Sequence, residues 1–322
     1  MSNFASGYVK YITHLEQIND AALVRPQVMI DEVEDAYREH LRNIARNIIT
    51  HYSTAKVCML AGPSSSGKTT TAHLLRDYLE ERGLKAEIVS LDDFYLGFSE
   101  MPVLPSGERD YETVNALDIA LARQCIRSVI DCGACMLPAY DFKTSERRLA
   151  VRELDVRDHG FVIFEGIHAL NPVFTKDLPE GSAIKLYVSV KQKIQDINGE
   201  VISPMDLRLV RRIARDVQFR NTSAERTLSM WPNVVSGEDK YIRPYRMSAD
   251  YTVNSIHIYE PCVLRSLVIP LLRSIPEDSP NYRKARNLDA RLMRFEPVDP
   301  ELVPENSMLR EFLGPKGKSH AE

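Results

Sequence analysis

An eight-residue segment, GPSSSGKT at residues 62–69, constrains the fold more than any other part of the chain. It matches G-x-x-x-x-G-K-[ST], the glycine-rich loop that holds phosphate groups, at every fixed position. An apolar run at residues 57–61 precedes it and has the length of a buried parallel strand. Ala72, Leu75 and Leu79 follow at helical spacing. Because the motif requires a strand before it and a helix after it, the segment predicts a nucleoside triphosphate site.

The residue types of this segment, called the phosphate loop below, explain how it would bind its ligand. Glycines let backbone N–H groups close around phosphate oxygens, and a helix N-terminus adds positive potential. Lys68 would neutralise the outer phosphates, and the Thr69 hydroxyl would ligate Mg²⁺. The predicted ATP-binding residues in and directly after the loop are Gly62, Ser64, Ser65, Ser66, Gly67, Lys68, Thr69 and Thr70.

The composition argues against several classes of protein. The net charge of −4 argues against a protein that coats nucleic acid or an anionic membrane. No apolar run approaches the roughly 20 residues of a membrane-spanning helix. The five cysteines are scattered and the N-terminus lacks the layout of a signal peptide, so we expect a cytoplasmic protein in a reducing compartment. We therefore expect no nucleic-acid and no membrane partner, while a homo-oligomer stays open.

The pattern of apolar runs predicts an α/β fold with three regions. Residues 56–275 would form the three-layer αβα arrangement of P-loop NTPases, with a mostly parallel sheet and a mobile helical lid at about 200–222. Residues 1–55 would form a helical extension, packed on this domain or on a partner subunit. Residues 276–322 would form an extended tail that wraps the domain and contains a short terminal helix. The apolar face of the N-terminal helix is marked by Val33, Tyr37, Leu41, Ile44 and Ile48.

Acidic side chains end two of the predicted strands. A strand at residues 86–91 ends on Asp92 and Asp93, and we expect it beside the phosphate-loop strand, so that Asp92 faces the phosphates. An apolar strand at residues 161–164 ends on Glu165, the position of a carboxylate that reaches Mg²⁺ directly or through water. The alternative for Glu165 is a carboxylate satisfied by a neighbouring helix cap.

The most basic segment lies between residues 207 and 219. Its helical pattern places four arginines on one face and three apolar residues on the other: Arg208, Arg211, Arg212 and Arg215 against Leu209, Ile213 and Val217. Such an arginine row is usually only a solvated face. In a kinase it is also what a lid helix over phosphates needs, and we favour the lid.

Together these motifs resemble the uridine kinase and phosphoribulokinase family. The similarity extends from about Lys56 to Leu272 and rests on five segments in the family's order: residues 62–70, 90–95, 138–147, 165–167 and 208–220. Further similarity, at residues 231–232, 237–240 and 297–314, is to a bacterial branch loosely described as uridine or nucleoside kinases.

The resemblance implies a role for each matching residue. The implied catalytic residues are Asp92 and Lys68. The implied Mg²⁺ ligands are Thr69 and Glu165, and the implied phosphate clamps of the lid are Arg208 and Arg211. The implied acceptor pocket consists of Tyr95, Glu112, Tyr140, Phe142 and Arg147. Two positions depart from the pyrimidine-nucleoside pattern, since Glu112 stands in place of an aspartate and Ser145 in place of a histidine.

The expected activity is that of an ATP-dependent small-molecule kinase. With Mg²⁺ bound, it would transfer the γ-phosphate of ATP to a hydroxyl, in first place the 5′-hydroxyl of a uridine-like or cytidine-like nucleoside. No Asn-Lys-x-Asp motif for guanine is present, so ATP is favoured over GTP. The alternatives are a kinase of another small polyol or sugar, and a nucleotide-gated interaction protein without turnover.

Overall fold

The computed structural model describes residues 14–105, 107–142, 144–158 and 160–317, with the backbone alone at residue 200. Its helices are α1 Leu15–Val24, α2 Pro26–His51, α3 Lys68–Glu80, α4 Ile119–Cys132, α5 Pro204–Phe219, α6 Ala224–Tyr241, α7 Glu260–Arg273, α8 Tyr282–Leu292 and α9 Arg310–Leu313. Its strands are β1 Val57–Ala61, β2 Lys85–Ser90, β3 Ala134–Asp141, β4 Glu146–Asp155, β5 Gly160–Glu165, β6 Ala183–Ser189, β7 Ile194–Asp196, β8 Gly199–Ile202 and β9 Tyr251–Asn254. None of the helices in these ranges is long and apolar enough to cross a membrane.

Among the described strands, five form one parallel sheet in the order β2-β5-β1-β6-β9. Alternate residues of β1 enter two separate cores, as the pleat of a strand requires. Cys58 and Leu60 pack with α2, α3 and α7, whereas Val57 and Met59 pack with α4 on the other face. Because helices cover both faces, β1 and β5 are buried along their whole length. The predicted three-layer αβα fold with a mostly parallel sheet is confirmed.

The position of β2 differs from the sequence prediction. β2 pairs with β5, with Ser90 opposite Glu165, and β5 separates it from β1. The compositions explain this order, because β5 is apolar and fully buried whereas β2 carries Lys85 and Glu87. Charged side chains suit the edge of a sheet, and an uninterrupted apolar run suits its centre. The prediction that the strand before Asp92 lies beside the phosphate-loop strand is therefore wrong.

An antiparallel hairpin of β3 and β4 stands apart from the main sheet. The sequence predicts a strand near residues 134–137, which is part of β3, but not its partner. β4 is almost entirely exposed, so its sequence lacks the apolar signal that marks a buried strand. The hairpin turn contains Phe142, and Ser145 adopts a left-handed conformation there with φ of 56°. The hairpin thus places part of the implied acceptor pocket on a separate, exposed ribbon.

The N-terminal helix α2 belongs to the main core. It packs along α3, and the predicted apolar face is confirmed. The buried residues of this face include Val33, Tyr37, Leu41, Ile44 and Ile48. Tyr37 also reaches the first turn of α3, where its hydroxyl lies 2.6 Å from the Thr71 hydroxyl. Of the two packing partners left open by the sequence, α2 packs on the domain.

The C-terminal tail is more helical than predicted. α8 buries Ala285, Leu288 and Leu292 at helical spacing, although charged residues surround this pattern in the sequence. The prediction of extended chain is thus wrong for residues 282–292. The short terminal helix is confirmed as α9. The boundaries of the three regions, after residues 55 and 275, stay predictions.

Candidate active site

The phosphate loop connects β1 to α3 and is tightly built. A Cβ on Gly62 would lie 2.2 Å from the carbonyl oxygen of Val188, so only glycine fits there. Gly67 and Ser65 have φ of 83° and 58°, the left-handed backbone that turns N–H groups inwards. The buried hydroxyls of Ser65 and Ser66 have no hydrogen-bond partner among the described residues. These unpaired donors fit a loop that receives an anionic, oxygen-rich ligand.

Lys68 extends from the start of α3 towards two carboxylates. Its Nζ atom donates to the carbonyl oxygen of Pro63 at 3.4 Å. Burial lowers the pKa of Lys68, and the nearby charges of Glu165 and Asp92 oppose this effect. The lysine and both predicted carboxylates are therefore in one place.

Ser90 links the two carboxylates at the ends of β2 and β5. Its hydroxyl donates to Oε1 of Glu165 at 3.1 Å and accepts from the backbone N–H of Asp92 at 3.3 Å. Burial raises the pKa of Glu165 to about 7, and it also raises the pKa of Asp92, while Lys68 opposes both effects. Although β2 is not adjacent to β1, the parallel register brings Asp92 and Glu165 to the same edge of the sheet.

The oxygen ligands at this edge of the sheet suit Mg²⁺ that is bound together with a triphosphate. Thr69 offers an exposed hydroxyl, and Glu165 offers a carboxylate beside the loop. Within the described ranges, no three His, Cys, Asp or Glu side chains are grouped as a metal cage. Mg²⁺ commonly uses one or two protein oxygens and completes its shell with phosphates and water, so the residues present fit this ion.

The arginines of α5 pack against the phosphate loop. Arg208 donates to the carbonyl oxygen of Ser64 at 2.9 Å and forms a bidentate pair with Glu238 at 2.6 and 2.9 Å. Arg212 donates to the Ser64 hydroxyl at 2.7 Å. Both side chains are buried, so the alternative of a solvated face is wrong for them.

Arg211 is fully buried in the same interface. It donates to the carbonyl oxygens of Ser65 at 3.3 Å and Ser255 at 2.7 Å, and it pairs with Glu260. These contacts hold the main chain of the loop, because a guanidinium distributes its five donors in a rigid fork. The implied role of Arg208 and Arg211 as phosphate clamps stays a prediction.

Two arginines outside the predicted site act on Asp92. After burial and Lys68, Arg220 and Arg215 are the groups that influence the pKa of Asp92, and both lower it. Arg215 pairs with Asp216 at 3.0 Å. The sequence places Arg215 on the arginine face, but nothing in the pattern singles out these two side chains as neighbours of the carboxylate.

Aromatic side chains of the implied acceptor pocket form one cluster. Tyr95 lies 5.5 Å from Tyr140 and 5.7 Å from Phe142, measured between ring centroids, and 5.6 Å from Tyr111. The Tyr95 hydroxyl donates to the carbonyl oxygen of Tyr111 at 3.0 Å. Three of the implied pocket residues are thus together, and Tyr111 joins them without having been predicted. Arg147 is held by Asp118, at 2.7 Å.

Glu112 lies at the edge of a cavity of about 890 Å³ between the loop after β2 and α6. The cavity wall includes Phe98, Arg109, Tyr111, Met230, Lys240 and Tyr241. Burial raises the pKa of Glu112 to about 7. Burial also lowers the pKa of nearby His168 to about 4, so its imidazole is neutral at physiological pH. The structure therefore connects Glu112 to a space large enough for a small polyhydroxylated molecule.

Glu112→Gln should stabilise the protein more at pH 8 than at pH 5. The pKa of Glu112 rises from its ordinary 4.5 to about 7 on folding. Between these two pH values Glu112 is protonated in the folded protein and ionised in the unfolded chain. The stability of the wild-type fold that depends on protonated Glu112 is therefore fully present below pH 4.5 and is lost as the pH rises through 7. Because glutamine is uncharged, the free energy of unfolding should exceed the wild-type value by about 1–3 kcal/mol at pH 8 and by much less at pH 5.

Urea unfolding of both proteins at the two pH values measures this difference. Glu180→Gln, an exposed site, is the matched control and should show no pH-dependent gain. An equal effect of Glu112→Gln at both pH values would contradict the raised pKa.

Comparison with known proteins identifies similar sequences for the central part of the chain. The model of the phosphoribulokinase / uridine kinase family matches residues 57–260. A uridine kinase of Ureaplasma urealyticum serovar 10 is 28% identical over 196 residues, which cover 61% of this chain and 86% of that protein. A uridine kinase of Lactobacillus johnsonii is 28% identical over 198 residues, covering 60% and 83%.

Solved structures resemble the chain more distantly. A possible uridine kinase from Bacillus stearothermophilus has a TM-score of 0.47 at 16% identity and covers 67% of this chain and 98% of its own. D-glycerate 3-kinase from Cryptococcus neoformans has a TM-score of 0.45 at 17% identity and covers 63% and 88%.

Proposed function

Because this chain belongs to the phosphoribulokinase / uridine kinase family, we propose that it transfers the γ-phosphate of ATP to the 5′-hydroxyl of a nucleoside. The observation that carries the proposal is the grouping of Lys68, Asp92 and Glu165 at the phosphate loop. A cation for the outer phosphates, a base for the acceptor and a carboxylate for Mg²⁺ are the parts that phosphoryl transfer requires. The names of the curated relatives, which are uridine kinases, support the nucleoside as acceptor.

In the proposed reaction, Asp92 orients the acceptor hydroxyl and accepts its proton. Burial raises the pKa of Asp92, which makes the carboxylate a stronger base than one in water. Lys68 balances the charge that develops on the transferred phosphoryl group, and the loop N–H groups hold the other phosphates. The chain's contribution is positioning and charge neutralisation, without a covalent intermediate.

Thr69 and Glu165 are the residues that would hold Mg²⁺ in this scheme. The ion would supply charge neutralisation to the phosphates. Arg208 and Arg211 would keep the loop in shape through their contacts to its carbonyl oxygens.

Glu165→Gln should raise the Mg²⁺ concentration needed for half-maximal rate, together with a loss of rate. The substitution keeps the size of the side chain and removes its charge, so the ion loses an anionic ligand. Initial rates over a Mg²⁺ titration test this, with Glu153→Gln on the exposed face of β4 as control. A titration curve that superimposes on the wild-type curve would reduce Glu165 to a structural carboxylate.

The acceptor pocket supports a nucleoside through two features. The cluster of Tyr95, Tyr140 and Phe142 offers ring faces and edges for a planar base. Glu112 can accept hydrogen bonds from neighbouring ribose hydroxyls when it is ionised. The second candidate is a sugar or polyol acceptor, which Ser145 favours, because its short hydroxyl cannot offer an imidazole edge to a base.

A coupled assay of ADP release tests the proposal and separates the candidates. Wild-type protein is offered uridine, cytidine, adenosine, simple sugars and polyols, each with ATP and Mg²⁺. We expect ADP release only when a nucleoside is present. ADP release with a sugar or polyol, but not with a nucleoside, would select the second candidate. ATP binding without ADP release on any acceptor would point to a nucleotide-gated interaction protein.

A further inference from the structure

The C-terminal segment, residues 303–314, reaches the phosphate loop although it lies outside the family-matched range. The Met308 sulfur would lie 2.7 Å from a Cβ on Gly67, so the segment packs directly on the loop. The Thr70 hydroxyl donates to Oε2 of Glu311 at 3.1 Å. A carboxylate thus contacts the start of α3, beside the predicted site of the triphosphate.

The segment is held firmly in this place. The Ser307 hydroxyl donates to the buried carboxylate of Glu34 in α2. Gln218 at the end of α5 donates to the carbonyl oxygen of Phe312 at 2.7 Å, and the ring of Phe312 lies 5.3 Å from the Arg211 guanidinium carbon. Because both α2 and α5 anchor the segment, the position of Glu311 is part of the fold.

Glu311 is half-buried, and among the described residues it forms no ion pair within 4.0 Å. Its carboxylate instead lies 3.1 Å from the Thr70 hydroxyl, next to Lys68 and Thr69 in the sequence. The first turn of α3 also favours an anion, through its free N–H groups and the helix dipole. Glu311 therefore supplies negative charge where a nucleotide phosphate would supply it.

The Thr70 hydroxyl cannot donate to the Glu311 carboxylate and to a nucleotide phosphate at the same time. The Thr70 hydroxyl has a single hydrogen, which it gives to Glu311 in this structure. A phosphate oxygen that takes this hydrogen must displace the carboxylate contact and lie close to its charge. Like charges at such distances repel, more strongly where water is partly excluded.

We propose that Glu311 competes with the nucleotide phosphates for Thr70 and the start of α3, and thereby weakens nucleotide binding. The inference rests on the proposed function, since it assumes that the loop binds ATP. The C-terminal segment is then part of the nucleotide site and sets the affinity of this site for ATP.

Equilibrium dialysis with a non-hydrolysable ATP analogue and Mg²⁺ tests the proposal without any acceptor. Glu311→Gln keeps the shape and an acceptor oxygen but removes the charge, so the Kd should fall about three- to tenfold. The gain should shrink at high salt, because screening weakens the repulsion in the wild type. Glu305→Gln, an exposed site on the same segment, is the matched control and should leave the Kd unchanged.

Each other outcome overturns the inference. An unchanged Kd in Glu311→Gln shows that the carboxylate does not act on the ligand. A higher Kd in both Glu311→Gln and Glu311→Ala, with thermal unfolding as in the wild type, shows that the carboxylate binds the nucleotide, for example at a ribose hydroxyl. A wild-type protein that does not bind the analogue would instead refute the proposed function, so the two failures are distinguishable.

Discussion

Lys68→Ala should abolish phosphoryl transfer, with turnover reduced by about 10³-fold or more on every accepted substrate. Lys68 is the cation of the phosphate loop, and its Nζ atom lies among Pro63, Glu165 and Asp92 rather than in open solvent. Negative charge on the phosphoryl group is redistributed in the transition state, and a fixed ammonium at this point stabilises it without reorganisation. ATP affinity should fall as well, because the outer phosphates lose their counter-charge.

The measurement is steady-state turnover, together with circular dichroism to show that the fold is intact. Lys68→Met, which keeps most of the buried volume, guards against a folding defect of the alanine variant. Lys176→Ala removes an exposed ammonium elsewhere and should leave turnover unchanged. If purified Lys68→Ala retains near-wild-type turnover, the assignment of the chain's active site to this loop is wrong.

Asp92→Asn should lower turnover by about 10²–10⁴-fold and leave ATP affinity nearly intact, because a proton must leave the acceptor hydroxyl. Asp92 and Asp93 both lie in the 3₁₀ turn Leu91–Phe94, but their carboxylates face different groups. Burial raises the pKa of Asp92, and the charge of Lys68 opposes this effect. The Asp93 carboxylate instead accepts from the backbone N–H of Tyr140, which also lowers its pKa against burial.

Asp93→Asn should therefore change turnover much less than Asp92→Asn. Kinetics of both variants, with ATP binding measured separately, provide the comparison. If Asp93→Asn loses turnover while Asp92→Asn stays active, the general base is Asp93, on the hairpin side of the site.

Local sequence was sufficient wherever a short segment determines its own structure. The phosphate loop needs its glycines for backbone reasons, and the apolar run before Glu165 has the length and composition of a buried strand. The place of β2 was not predictable in the same way, because strand order depends on which strand best fills the centre. Only the comparison of β2 with β5, charged against apolar, indicates the answer.

The arginine helix shows a second limit of sequence reasoning. Its spacing is visible, but its partners are not, since Glu238 and Glu260 lie 30 and 49 residues further along the chain. The contact between Thr70 and Glu311 spans 241 residues. No periodicity connects such positions, and only the folded chain brings them together.

The bond between Tyr37 and Thr71 has a consequence for how this protein can evolve. Thr71 donates its single hydroxyl hydrogen to the carbonyl oxygen of Gly67 at 2.7 Å, so Tyr37 must be the donor in the contact of 2.6 Å between the two side chains. Both side chains are buried, and a change of Thr71 removes the acceptor that the Tyr37 hydroxyl uses. A substitution at position 71 should therefore be accompanied by one at position 37, which couples α2 to the start of α3 in evolution.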